Sequence, residues 1–267
     1  MSTQEFQELV WQFYRDNKRN MPWRENINPY YVLVSEIMLQ QTQVDRVKPK
    51  FEAFMAQFPN LQALSNAKLS DVLKLWSGLG YNRRAKFLWQ AAQKIEKDFN
   101  GKMPATIEDL TLLPGVGKNT AGAILAYAFS QPVVFIETNI RTVYFHHFFA
   151  DSVETVSDAE LSELVEITLD KERPREWYYA LMDYGTFLKK QHGGRLSQSK
   201  HYKKQPPLKG SLREMRGKIL KILMDGSLSE NELRQKVLAD ERFIPALKSL
   251  EQEGLITIEG SKVSLVD

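Results

Sequence analysis

The stretch Leu113-Pro114-Gly115-Val116-Gly117-Lys118-Asn119-Thr120-Ala121 decides the fold class, because it interrupts two helical patterns and belongs to neither. Apolar residues at helical spacing run up to it over Ile107–Leu112 and resume over Thr120–Phe129. Pro114, Gly115 and Gly117 permit a tight turn and a close approach of the backbone to whatever lies outside. Such a turn aims amide N–H groups and the positive end of the next helix at one point. That makes an anion seat suited to a nucleic-acid phosphate, and Lys118 adds charge to it. Taken alone, the same letters also serve as a plain helix–helix turn. They are not a P-loop: the GxxxxGK[ST] spacing is absent and no strand precedes them.

Outward from the turn, the first 188 residues read as helix almost throughout. Phe6, Val10, Phe13 and Tyr14 line one face of a first helix. Asn28-Pro29 reads as a cap and first helical position for a helix from Tyr30 to about Gln40. Further helical patterns cover Val44–Phe58, Leu69–Trp76, Arg84–Phe99, Ile140–Phe148, Asp158–Leu169 and Trp177–Leu188. Lys189–Gly210 reads as a loop. Beyond it Leu212–Met224, Ser229–Leu238 and Arg242–Glu253 read as three helices. Leu255–Glu259 and Lys262–Val266 then alternate around Gly260-Ser261, a hairpin signal. Three helices followed by a hairpin is the order of a winged helix.

The chain has 267 residues and no cysteine, which excludes disulfides, thiolate nucleophiles, thiolate-held zinc and cysteine-held iron–sulfur clusters. The N-terminal segment is charged and amphipathic, unlike a signal peptide, and no apolar run is long enough to span a bilayer. The expectation is a cytoplasmic protein. Its net charge of +3 hides an uneven distribution. Asp151–Leu188 holds ten acids against three bases, and Lys189–Lys221 holds eleven bases against one acid. The second stretch favours a polyanion, although a solvated linker has the same composition.

Four blocks in order between Met21 and Val143 carry a resemblance: Met21-Pro22-Trp23-Arg24 with Pro29-Tyr30, the run Ser35-Glu36-Ile37-Met38-Leu39-Gln40-Gln41-Thr42-Gln43-Val44, Leu75-Trp76-Ser77-Gly78-Leu79-Gly80-Tyr81 followed by Arg83-Arg84-Ala85, and the hairpin itself. Tyr178–Gly185 (YYALMDYG) continues it. The chain resembles the helix-hairpin-helix DNA glycosylase superfamily, and within it the adenine DNA glycosylase (MutY-like) branch. The resemblance implies a mainly α protein: a two-lobed helical glycosylase core over 1–188, a basic linker or DNA-contacting segment over 189–210, and a small winged-helix module over 211–267. It also implies double-stranded DNA containing a mispaired or damaged base as partner, a monomer, no membrane, and a nucleoid-associated location if the source is bacterial or archaeal.

Cleaving an N-glycosidic bond leaves an electron-poor sugar, and a purine departs more easily once a ring nitrogen is protonated. One protonated carboxyl and one carboxylate serve both needs, after the base has been flipped out of the stack. Glu36 lies on an otherwise apolar helix, where burial would keep it protonated, although an exposed helix carboxylate fits the letters equally well. The resemblance places the family's catalytic Glu here. The family's second carboxylate is an Asp, and this chain has Glu137 there, one methylene longer. Glu137 is expected to stabilise the sugar cation, with Asn139 hydrogen-bonding near the sugar. Its other reading is a helix N-terminal Glu that complements the dipole.

Bifunctional relatives similar to endonuclease III carry a Lys nucleophile where this chain has Asn119, and Lys118 points about 100° away around the helix. The expectation is therefore a monofunctional enzyme that leaves an intact abasic site. Gln41 and Tyr81 match family positions that enter the DNA at the lesion, and Gln40 of the same run is placed with them as a DNA contact. Asn82 stands where adenine glycosylases often have a second Tyr. With Gly115, Val116, Gly117, Lys118, Asn119, Lys200, Lys203 and Lys204, these form the expected DNA-contacting set.

Base specificity stays open between adenine opposite G or 8-oxoguanine and a mispaired thymine or uracil. A non-catalytic winged-helix DNA-binding protein is the remaining alternative, opposed by the retained Glu36, Gln41, Tyr81 and hairpin. Most relatives place four cysteines of a [4Fe–4S] cluster after the region matching Asp183-Tyr184-Gly185. This chain has none, so no cofactor is expected, and only a monovalent cation at the hairpin carbonyls is left open. The basic segment is expected to take over the cluster loop's role of binding phosphates. Reversing the charge of Lys189, Lys190, Lys200, Lys203 and Lys204 should then weaken DNA binding and flatten its dependence on salt, by about 0.9 log unit for each phosphate no longer neutralised. An unchanged salt slope in a titration of duplex DNA would contradict this.

Overall fold

The computed structural model describes residues 1–150, 155–200 and 205–267. Its helices are α1 (Thr3–Asn17), α2 (Pro22–Glu25), α3 (Pro29–Leu39), α4 (Val44–Gln57), α5 (Leu61–Ser65), α6 (Leu69–Trp76), α7 (Arg83–Asp98), α8 (Ile107–Thr111), α9 (Lys118–Phe129), α10 (Thr138–His147), α11 (Asp158–Thr168) and α12 (Pro174–His192). The chain then continues through α13 (Leu212–Leu223), β1 (Leu228–Ser229), α14 (Glu230–Val237), α15 (Phe243–Gln252), β2 (Ile256–Glu259) and β3 (Lys262–Leu265). The starts of these helices are written in the sequence. Capping boxes Ser2/Glu5, Ser157/Glu160 and Ser229/Glu232 open α1, α11 and α14. Asn28 Oδ1 accepts the Tyr30 amide at 2.9 Å beside Pro29, as the cap reading expects. Among the described residues no helix is long and apolar enough to cross a membrane.

The chain folds into two compact units, each assembled from separated segments. The first comprises residues 1–36, 105–112 and 116–204. Its spine is α12, which packs on α1, α9 and α10. The fully buried rings of Phe6, Tyr144 and Trp177 meet there, with Phe6 5.3 Å from Tyr144 and 6.0 Å from Trp177 between centroids. Two glycines set how close the helices come. Gly122 on α9 faces Phe135, whose Cβ would lie 2.7 Å from an added methyl. Gly185 on α12 lies against the first turn of α10, where a methyl group would collide with the Asn139 carbonyl oxygen.

The second unit comprises residues 37–104, 113–115 and 205–267. Phe51, Phe54, Leu73, Trp76 and Leu88 fill its α4–α7 core, and Met215, Ile219, Phe243, Leu250 and Val263 fill the core of its C-terminal part. That part has the expected three helices and hairpin, with one addition: β1 pairs with β3, giving an antiparallel sheet of order β1-β3-β2. It is tied down at two places. Ser70 Oγ and Lys68 Nζ hold Asp267 at 2.6 and 2.9 Å, and Lys86 Nζ reaches the Glu253 carbonyl at 2.5 Å.

The segment read as a loop from Lys189 differs from that expectation. Helix α12 runs on to His192, because Lys189, Lys190 and His192 complement the negative end of the helix. Leu196–Gln198 form a 3-10 turn, and Ser199 bridges to Val156. Arg195 and Gln198 donate to the carbonyls of Ala150 and Phe149 at 2.7 and 3.0 Å. The described part of the basic segment is therefore packed on the first unit. Lys203 and Lys204 lie outside the described residues.

The close approach at Gly185 generates a stability prediction. Alanine would gain about 1 kcal/mol of helix propensity but must push α12 away from the α10 backbone, at a cost of about 1–3 kcal/mol or more. Gly185→Ala should lower the melting temperature by several degrees in a thermal denaturation scan. An unchanged or raised Tm would show that α10 and α12 are not held that tightly.

Candidate active site

Two of the three expected catalytic side chains are brought into electrostatic contact in the first unit. Glu36 lies on α3 among Val32, Leu33 and Val34, all buried. Burial, reinforced by the neighbouring Glu137 charge, pushes its carboxyl up to about 8, and the nearby Arg24 guanidinium only partly opposes this. Glu137 has another environment. It is the N-cap of α10, where its Oε1 accepts the amide N–H groups of Asn139 at 2.8 Å and Ile140 at 3.2 Å. Burial raises its pKa too, but those amides pull it back toward the charged form. One carboxyl thus sits in apolar surroundings and the other on the positive end of a helix. That arrangement separates a proton donor from a carboxylate. Asn139, the third, occupies the first turn of α10, with Nδ2 3.9 Å from Met182 Sδ.

The hairpin joins α8 to α9 through Gly115 and Gly117. Gly115 has φ +81° and stands 3.0 Å from Phe87 Cβ where a side chain would begin, so both its conformation and its space call for glycine. Gly117 has an ordinary φ of −91° and open space around it, so the fold itself makes no demand for glycine there. Gly117 caps α9 without a side-chain bond, and no acidic residue stands in the first turn. Lys118 is exposed, and Val116 is buried beneath the turn. Asn119, in the place of the bifunctional relatives' Lys, accepts the Ile136 amide through Oδ1 at 3.3 Å and so braces the backbone just before Glu137.

The residues expected to enter the DNA stand on two strained turns of the second unit. Gln41 and Tyr81 have φ of 55° and 49°, the left-handed region that side-chain-bearing residues seldom occupy. Buried Arg84 holds both turns. Its guanidinium donates to the carbonyls of Ile37 (2.7 Å), Met38 (3.0 Å) and Gly80 (3.2 Å) and to Thr42 Oγ1 (3.0 Å). Gln40 Nε2 donates to the Gly115 carbonyl at 3.2 Å. Its role in the fold is to support the hairpin.

These features meet in one lineage. The family model described as HhH-GPD superfamily base excision DNA repair protein matches residues 34–167. The chain belongs to this superfamily. It is similar to the adenine DNA glycosylase of Buchnera aphidicola subsp. Schizaphis graminum, with 34% identity over 68% of this chain and 54% of the relative. It is 38% identical to the human adenine DNA glycosylase over 66% of this chain and 34% of that protein. The chain thus spans about half the length of the first relative and a third of the second. Among solved structures, a thermostable thymine-DNA glycosylase superposes with a TM-score of 0.66 at 25% identity, covering 74% of this chain and 92% of that one.

Within this HhH-GPD fold, Arg24 and Tyr127 act on the carboxylates and Asp183 anchors Arg24, and sequence spacing singled out none of the three. Asp183, fully buried on α12, binds Arg19 Nε at 2.8 Å and Arg24 Nη1 at 2.9 Å. Arg24 lies 4.3 Å above the Tyr179 ring, and Tyr179 stacks on Tyr127 at 4.8 Å. Burial opposes the charge on Arg24, yet the bonds to Asp183 outweigh it and raise its pKa. Tyr127 is pushed well above the ordinary phenol range by burial and then by the charges of Glu36 and Glu137, which places its ring beside both. Arg24 and Asp183 stand in blocks that carry the family resemblance, which was the one signal for them, and Tyr127 had only its helical spacing. Asn82 opens α7 as an αR cap without a side-chain bond, and Lys200 is exposed after the bridge. Among the described residues no group of three His, Asp or Glu side chains is placed to hold a metal ion.

The raised Glu36 pKa fixes the sign of a stability effect. The fold accommodates the protonated carboxyl, so stability that is intact below an ordinary glutamate pKa of 4.5 is lost as pH rises toward about 8. Glu36→Gln cannot ionise and escapes that loss. The melting temperature of the Gln variant should therefore gain on the wild type between pH 5 and pH 8. A gap that stays constant or shrinks would mean that Glu36 ionises freely.

Proposed function

We propose that this chain is a monofunctional DNA N-glycosylase of base excision repair that flips an adenine mispaired with G or 8-oxoguanine and hydrolyses its N-glycosidic bond. The observation that carries the reading is the pair of unlike carboxyl environments. Glu36, with its pKa near 8, is the general acid that protonates the departing base. Glu137, held by two α10 amides, stays closer to the charged form and faces the electron-poor sugar as its counter-charge. Asn139 orients the sugar. Asn119 offers no amine and is already spent on the Ile136 amide, so no Schiff base forms and the abasic product stays intact.

The hairpin amides and Lys118 take a phosphate of the duplex, and Gln40, Gln41, Tyr81 and Asn82 lie along the distorted region. Lys200, with Lys203 and Lys204, binds further phosphates without an iron–sulfur cluster. Residues 211–267 serve as a winged-helix module that supports DNA binding. The same reading assigns the protein to the cytoplasm, at the nucleoid if the source is bacterial or archaeal, acting as a monomer. A second reading, removal of thymine or uracil opposite G, is favoured by the likeness to the thymine-DNA glycosylase and by Glu137 in place of Asp.

Single-turnover reactions on A:8-oxoG, A:G, T:G and U:G duplexes, developed with and without alkali, test both. Strand breaks at adenine that need alkali, with no borohydride-trapped adduct, are expected. Glu36→Gln should slow them by about 10²–10⁴-fold. Breaks at T or U instead of A would select the second reading, and no breaks on any duplex would overturn both.

A further inference from the structure

The C-terminal part of the second unit reaches the two strained turns. Arg213, in the first turn of α13, donates through Nη1 to the Tyr81 hydroxyl at 2.6 Å and through Nη2 to the Pro206 carbonyl at 2.7 Å. Its guanidinium lies 5.6 Å over the Tyr81 ring. The Gln205 amide donates to the same hydroxyl and to Gln41 Oε1, the latter at 3.4 Å. Gln41, Tyr81, Gln205 and Arg213 therefore make one polar cluster from three distant parts of the sequence. Gln41 and Gln205 are exposed, and Tyr81 and Arg213 are half-buried.

Three observations give the cluster a direction. Gln41 and Tyr81 are both held at positive φ by buried Arg84, so the fold spends strain to present these two side chains together. Arg213 makes no ion pair with a carboxylate among the described residues. Its neighbour Glu214 is taken by Arg242 at 3.0 Å and by the Gly210 amide at 2.8 Å, which leaves the Arg213 charge uncompensated. Of the five N–H donors of a guanidinium, the bonds to Tyr81 and Pro206 use two, so the fork retains donors for a ligand. The module that carries it is fixed by Asp267 and Glu253, so the fork stands at a set position.

We infer that Arg213, with Gln205, is a specificity-determining contact to the guanine that remains in the opposite strand when its mispaired partner is flipped. A planar fork of N–H donors is complementary to the O6 and N7 acceptors of guanine, which adenine and the pyrimidines do not present together. The Gln205 amide can both donate and accept beside it. Tyr81 and Gln41, already bonded to the pair, bring it to the orphaned base as they enter the duplex. The inference rests on the proposed excision of a base paired with guanine. It holds for adenine or thymine excised opposite guanine, and not opposite 8-oxoguanine, whose N7 carries a hydrogen and cannot accept from the fork.

The test replaces one acceptor atom. Single-turnover excision by the full chain is compared on duplexes with guanine or 7-deazaguanine opposite the target adenine, and again opposite thymine. Equilibrium binding is measured on the same pairs carrying a non-hydrolysable analogue of the target nucleotide. For the wild type, guanine should be preferred over 7-deazaguanine by about 5- to 100-fold. That ratio should fall to near one in Arg213→Ala, and also in Arg213→Lys, which keeps the charge and loses the fork. An equal ratio in wild type and variants would overturn the inference, as would a uniform loss on every duplex. A uniform gain would also overturn it, because Arg213 would then be a cover over Tyr81. If the wild type excises nothing, the proposed activity fails and the binding ratios still decide the contact.

Discussion

Asp183 is the group on which the first unit depends. A carboxylate with no solvent exposure must be paired or leave the charged state, and Asp183 is paired with two arginines from the N-terminal segment. This joins α12 to the chain around α2 and holds Arg24 over the Tyr179 ring. Tyr179 in turn stacks on Tyr127, whose ring lies beside both glutamates. Two residues further along α12, Gly185 lets the helix press against the backbone of Asn139. One turn of one helix therefore sets the charge near Glu36 and the position of the α10 N-terminus.

The two glutamates show why burial alone does not assign roles. Both are pushed toward the neutral form by loss of water, and Glu36 also by the Glu137 charge. The difference comes from what each can bond. Glu36 has an apolar helix around it, and the Arg24 charge only partly opposes its burial, so the neutral form is favoured. Glu137 has two backbone amides aimed at one oxygen and the positive end of α10 behind them. A single negative charge shared by the pair therefore settles on Glu137.

Much of this was legible in the chain, and the rest was not for definite reasons. Hairpin glycines, helix caps and the apolar face around Glu36 are local patterns, and they lie where the spacing put them. The order of the C-terminal helices and hairpin was also readable, whereas β1 is only two residues long and pairs with β3, more than thirty residues away. Gln41 follows a helix read as running to about Gln40, yet α3 stops at Leu39 and Gln41 turns left-handed. Nothing in its neighbours signals that, because the cause is Arg84, some forty residues on. Tyr127 was invisible for the same reason: an aromatic ring on an apolar helix face reads as core until the charges beside it are known.

The substitution of Glu137 for the expected Asp is accommodated by capping geometry. Short polar side chains are the usual N-caps because they reach the amides of the first turn directly. A glutamate must bend back to do so, and Glu137 does, with Oε1 serving both Asn139 and Ile140. The extra methylene is taken up in that bend, so the carboxylate stays at the helix end and does not project a bond length further. Asn119 supports this by fixing the Ile136 amide immediately before the bend. An alanine at 119 would leave the amide of buried Ile136 without this partner and loosen the segment, which would move the charge relative to Glu36. Asn119 thus has its own task in this chain, that of holding the backbone that leads into the Glu137 cap.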